Sequence, residues 1–283
     1  RRKELSAHIE GANQEYQHLM KAWSEHLSSK APLDKRIGEA VKAKDAERKA
    51  LKAEYESDQM DSRKALKQLL GQGQKHQLDF SSYKIDKKPE LAELSKKATD
   101  SAQSFLDGLV SEKAGEIKPA AIVYQAGREF YFPKLPFLLG WVSLLIGAGS
   151  SKRATIGYAG GIGDDGASMV HEYGHHLEAN LPGVKKAAGE FLDRRLKDEK
   201  PRRLRDVYPD GEFGRMEYGA KDNFDKAFSG VRAWYAGKRY SGGDTEVVSM
   251  GLEELYKDPA GFAERDTDYC EFIVSILQGK FNE

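Results

Sequence analysis

Apolar positions in the first third of the chain recur at helical spacing. Leu5, Ile9, Tyr16, Leu19, Met20 and Trp23 mark one amphipathic helix over residues 4–27. Ile37, Val41, Leu51, Tyr55, Leu66, Leu69 and Leu70 draw a thin apolar stripe through a run rich in Lys, Glu and Ala, which predicts one long helix over 36–70. The stripe is too irregular for a heptad seam. Gly71-Gln72-Gly73 should end that helix, and Leu91, Leu94, Ala98, Phe105 and Leu109 predict another over 89–110.

Beyond residue 115 the pattern changes. Ile122-Val123-Tyr124 and Glu129-Phe130-Tyr131-Phe132 flank Gln125-Ala126-Gly127-Arg128 and predict a hairpin, and 153–158 predicts a further strand. The stretch 231–240, with Ala236-Gly237 at its centre, reads as a second hairpin. Two closing helices are predicted over 245–256 and 266–277, separated by Lys257-Asp258-Pro259. Strands followed by helices indicate an α+β class. Only 6 of the 28 glycines and 2 of the 9 prolines lie in residues 1–115, so an all-α domain over 1–115 is expected to precede an α+β domain over 116–283.

Charge narrows the function classes. The 283 residues carry 45 basic and 45 acidic side chains, which removes the electrostatic footprint of a nucleic-acid or anionic-membrane binder. A single cysteine, Cys270, cannot form an intramolecular disulfide. No window offers the roughly 18 uncharged apolar residues of a membrane span. The nearest run, 135–151, is broken by Pro136, Gly140, Gly147 and Gly149 and reads as core rather than a mobile flap. A first residue other than Met and the lack of a signal-peptide core suggest a fragment or processed product, from either a cytoplasmic or virion-associated protein or a secreted effector.

The segment that carries chemistry is His171-Glu172-Tyr173-Gly174-His175-His176-Leu177-Glu178. A helix from Ala167, after a glycine-rich loop with an Asp available as its cap, stacks His171 and His175 on one face. Two imidazoles one turn apart can share a tetrahedral zinc, with Glu172 beside them as general base. His176 points about 100° away from His175 and does not fit as a third ligand. Glu178, one turn past His175, either supports the site from behind or is solvated. A His six residues after His175 would be the metzincin solution, but that position is Leu181, so a carboxylate from a later helix is needed. Glu246, opening a helix after Gly242-Gly243, is the best candidate, with Asp244 as competitor. His8, His18, His26 and His76 share no ligand-spaced cluster and read as surface residues.

On these two motifs, His171–His175 and Tyr240-Ser241-Gly242-Gly243-Asp244-Thr245-Glu246, the chain resembles the gluzincin metallopeptidases, and within them most the catalytic domain of anthrax lethal factor. The closing stretch through Lys257-Asp258-Pro259 is also similar to metallopeptidase-like domains of phage head-morphogenesis proteins and bacterial toxins. The resemblance spans about residues 120–283. It implies a zincin-like domain with a small mixed sheet and an active-site helix, and one zinc per chain on His171, His175 and Glu246. It further implies Glu172 as base, Tyr240 as hydrogen-bond donor to the oxyanion, and an extended peptide on the free edge of Thr155, Ile156, Gly157 and Tyr158. Met250 stands where the family can carry a further acidic residue, and Tyr240 lies one residue closer to Glu246 than in lethal factor. The function implied is a zinc-dependent endopeptidase acting on a protein or peptide, with the helical part available for a partner protein. The rival readings are a phage-head structural or scaffold protein that keeps the fold without using it, and a secreted effector protease.

Overall fold

The computed structural model describes residues 2–28, 35–70, 78–79, 89–117, 120–124, 130–132, 154–158, 166–197, 199–211, 213–221, 224–240 and 242–281. The chain divides into two compact units, Arg1–Lys64 and Ala65–Glu283. The first holds α1 (Arg2–Ser28) and most of α2 (Lys35–Leu70), matching the two long helices read from the sequence. Among its described residues the buried apolar side chains are few, Leu5, Ala12 and Val41. Lys44 bridges Glu15 at 2.8 Å, and the Arg48 guanidinium lies 5.0 Å over the Tyr16 ring. Exposed pairs of this kind each contribute about 1 kcal/mol or less. His8 and His18 are exposed, as expected of surface histidines.

The second unit is α+β. It contains β1 (Leu78–Asp79), α3 (Pro89–Leu106), β2 (Ala120–Tyr124), β3 (Phe130–Phe132), β4 (Ala154–Tyr158), α4 (Ala167–Asn180) and α5 (Pro182–Leu196). There follow β5 (Arg202–Arg203), α6 (Leu204–Val207), β6 (Tyr218–Gly219), α7 (Val231–Ala236), α8 (Val247–Lys257), α9 (Pro259–Arg265) and α10 (Thr267–Gln278). The expected boundary near 115 is wrong. Ala98, Ala102, Phe105, Leu106 and Leu109 of α3 and the turn after it share one core with Tyr173, Leu177, Val247 and Leu255. The glycine and proline asymmetry marks a change in secondary structure, whereas a domain is defined by which residues share a core.

Four strands form a mixed sheet in the order β1-β2-β4-β3, with β2 parallel to β4 and β3 antiparallel to it. β2 and β3 therefore do not pair as a hairpin; β4 lies between them. This also removes the expected free edge. Thr155, Ile156 and Gly157 have partners on both sides, and Tyr158 pairs with Tyr124. Among the described residues the outer strand on that side is β3. The second predicted hairpin, 231–240, is instead the helix α7 followed by a short connection. The glycines at 71 and 73, the run 135–151 and the loop 160–165 lie outside the described residues. Gly166, not an aspartate, is the cap of α4 and makes no side-chain cap bond. Among the described residues no helix is long and apolar enough to cross a membrane.

The core is built around α4. It packs against α3, α5, α8, β3 and β4, burying Met169, Val170, Tyr173 and Leu177 completely. The crossing with α8 depends on Gly174. A Cβ there would stand 2.4 Å from Ser249 Cα and 2.8 Å from its nitrogen, closer than any side chain permits. The start of α8 is pinned from the other side by Tyr269, whose hydroxyl donates to the Val247 carbonyl. Phe191, Phe224, Phe228 and Phe262 surround the Tyr269 ring with centroids 5.2–6.1 Å away. Asp266 caps α10 and is held by a buried two-point pair with Arg195, at 2.7 and 2.8 Å.

Replacing Gly174 with Ala should destabilise the protein by about 2–3 kcal/mol in a denaturant titration, because two backbones would have to separate. Gly189→Ala, in α5 where nothing lies within 4 Å of the new methyl, should instead stabilise by about 0.5–1 kcal/mol. Equal effects at the two positions would show that helix propensity, not the crossing, governs Gly174.

Candidate metal centre

His171 and His175 are one turn apart on α4, their rings 5.2 Å apart at 77°. Both Nε2 atoms point at one oxygen, Glu246 Oε2, each at 3.2 Å. Glu246 is the cap residue of α8, fully buried, so the crossing at Gly174 brings its carboxylate over the two imidazoles. These are the three residues among those described that could together hold a metal ion. Ligand atoms about 2.0–2.1 Å from a tetrahedral zinc stand about 3.3 Å apart, so the observed 3.2 Å separations need little adjustment.

The loop that delivers Glu246 is a tight turn. Tyr240 N–H donates to the Asp244 carbonyl at 2.8 Å and Gly243 N–H to the Tyr240 carbonyl at 2.9 Å. Gly243 takes φ +85°, a conformation that favours glycine. Glu246 N–H then donates to the Lys238 carbonyl at 3.2 Å. The turn lays the Tyr240 hydroxyl on Glu246 Oε1, to which it donates. Ser249 Oγ donates to Oε2 at 2.8 Å. Tyr240 is thus held on the second oxygen of Glu246, and its ring meets His175 edge-on at 6.2 Å.

The buried charges of this group are coupled to one another. Burial opposes a charge on His171, but hydrogen bonds to Glu246 and Glu253 outweigh it and push the imidazole up to about 10. Burial likewise opposes the charge on Glu246, yet His175 and His171 hold its carboxyl well below the usual range. Buried Lys238 adds to this, with Nζ 2.6 Å from Glu217 and 3.9 Å from Glu246 Oε1, over the rings of Tyr235 and Tyr240 at 4.6 and 4.4 Å.

Glu253 is the residue the sequence reading missed. Its Oε2 lies 3.1 Å from His171 Nδ1, which fixes the ring and leaves Nε2 for a metal. The family pattern directed attention to Met250, one turn after Glu246; the acidic partner is two turns after it, on the same face of α8. Glu178 has a supporting place rather than a solvated one. It is buried and its Oε1 accepts from the Thr245 N–H at 2.9 Å, anchoring the residue before Glu246. Burial pushes its carboxyl up to about 7. Asp244 pairs with Lys185 at 2.7 Å, and His176 is buried beside Asn180 at 3.0 Å, so neither joins the centre. Glu172 is buried and lines, with His171, a cavity of 490 Å³.

Two outcomes follow from these charges. The raised His171 value means that its proton stabilises the metal-free fold fully below pH about 6.5 and is lost through pH 10. Thermal unfolding of chelator-treated protein should therefore fall between pH 7 and 10, and zinc binding at pH 7 should release a proton, read from titrations in buffers of different ionisation enthalpy. Absence of both would show that His171 is not charged without metal. Glu253→Gln should keep the fold yet weaken zinc binding by about 10–100-fold in a chelator competition.

No family model, curated protein or solved structure matches the chain. Its function is therefore argued from the residues of this centre and their geometry.

Proposed function

We propose that the chain is a zinc-dependent endopeptidase of the gluzincin type, with the zincin-like domain in residues 65–283. The observation that carries this reading is the convergence of His171, His175 and Glu246 on one point, with Glu172 beside it on the wall of a cavity. The donor set of two imidazoles and one carboxylate suits zinc and leaves a fourth position open. Zinc bound there would polarise a peptide carbonyl and make water available as a nucleophile near neutral pH.

The chain's own residues would do the rest. Glu172 takes the proton of the attacking water and hands it to the leaving amine. Glu253 holds His171 in the tautomer that presents Nε2, and Ser249 and Tyr240 hold the two oxygens of Glu246. Tyr240 turns from Glu246 Oε1 toward the developing oxyanion, a short rotation for a hydroxyl already beside the ligand. With β4 paired on both sides, the outer edge of β3 is where an extended peptide would add.

Glu172→Gln separates this reading from a structural protein that retains the fold. It should bind one zinc per chain like the wild type while hydrolysis of a casein-type substrate falls by about 10³-fold or more. A wild type that binds zinc but cleaves nothing, with Glu172→Gln indistinguishable from it, would favour the structural reading. Tyr240→Phe should slow hydrolysis about 10²-fold at full zinc loading.

A further inference from the structure

The 490 Å³ cavity that borders His171 and Glu172 is lined by two cations, Arg232 of α7 and Lys257 at the end of α8. Both reach the same carboxylate oxygen. Arg232 Nη1 lies 2.9 Å from Glu253 Oε1, and Lys257 Nζ contacts that oxygen too. The other oxygen of Glu253 is already engaged by His171. One carboxylate therefore answers an imidazole and two full cations, and each cationic side chain keeps 38% of its surface exposed. Arg232 Nη2 is buried and makes no hydrogen bond; Glu254 Oε2 stands 3.7 Å from it, and Glu254 also pairs with Arg265 at 2.6 Å.

The rest of the lining adds to this surplus of donors. Ser168 brings a hydroxyl from the first turn of α4, a 14-residue helix with no acidic residue in that turn. Phe213, Val231 and Met250 supply apolar surface that suits methylene groups. Of the two acids in the lining, Glu253 is saturated and Glu172 belongs to the reaction centre.

We propose that this cavity receives an acidic side chain, aspartate or glutamate, from the residue adjoining the scissile bond. The proposal rests on the peptidase reading above. A carboxylate entering here gains charge-assisted hydrogen bonds from Arg232 and Lys257. A lysine or arginine would face two like charges, and a purely apolar side chain would desolvate the cations without pairing them.

The test has a cleavage arm and a binding arm. Zinc-loaded protein is incubated with a peptide library, and cut sites are read by mass spectrometry. Sites with Glu or Asp beside the cut should exceed those with Gln by about tenfold or more, and those with Lys by more still. That Glu-to-Gln ratio should collapse toward one in Arg232→Gln and in Lys257→Met. For the binding arm, fluorescein-labelled octapeptide pools with a fixed central Glu, Gln or Lys are titrated into zinc-loaded Glu172→Gln protein. The Glu pool should bind tightest, and the preference should vanish in the two cation variants. Cleavage without acidic preference, or equal binding of the pools, overturns the cavity assignment while the peptidase reading stands. Preferential binding of the Glu pool without any cleavage by the wild type upholds the cavity and overturns the peptidase reading.

Discussion

Everything at the candidate centre depends on two helices crossing with almost nothing between them. At Gly174 the backbone of α4 meets the backbone of α8 at Ser249, and one methyl group would force them apart. Because the cap of α8, Glu246, lies three residues before that contact, the crossing carries its carboxylate over His171 and His175. The same crossing aligns Glu253, two turns further along α8, with the opposite nitrogen of His171. Tyr269 and its ring of phenylalanines pin the other side of α8, so its start cannot retreat from α4. A packed apolar cluster is thereby converted into fixed positions for charged side chains.

Charge then decides what such a cluster can hold. Two buried carboxylates bracket one imidazole, and their combined pull is strong enough to keep a proton on His171 at neutral pH in the metal-free fold. A divalent cation in the same place satisfies both imidazoles and the carboxylate together, without the burial cost of an imidazolium. Cations arranged behind the site, Lys238 at Glu246 and Arg232 and Lys257 at Glu253, offset the remaining acidic charge. That second pair also lines the cavity beside His171 and Glu172.

The local parts of this arrangement were legible in the sequence. His171, Glu172 and His175 declare themselves because a helix converts a spacing of four into a shared face, and α4 begins at Ala167 as the pattern predicts. Glu246 was recognisable from a glycine turn leading into an apolar helix. What the sequence hid is non-local. Whether Met250 or Glu253 faces His171 depends on how α8 is rotated against α4, which no spacing within α8 reveals. Ile122–Tyr124 and Phe130–Phe132 looked like hairpin partners since they are near in sequence, but β4 inserts between them and closes the edge assigned to Thr155–Tyr158. Val231-Arg232-Ala233-Trp234-Tyr235-Ala236 has strand-like composition and is nevertheless a helix, with Ala233 and Ala236 buried in the core.

X-ray absorption at the zinc edge tests the centre most directly, since it counts and identifies the atoms around the metal. One zinc per chain should show two imidazoles and two oxygen donors in a shell at about 2.0–2.1 Å. In Glu246→Ala that shell should lose an oxygen of the carboxylate or the zinc should be lost altogether. A six-coordinate oxygen shell, or a spectrum unchanged by Glu246→Ala, would place the metal elsewhere and contradict the crossing-helix centre.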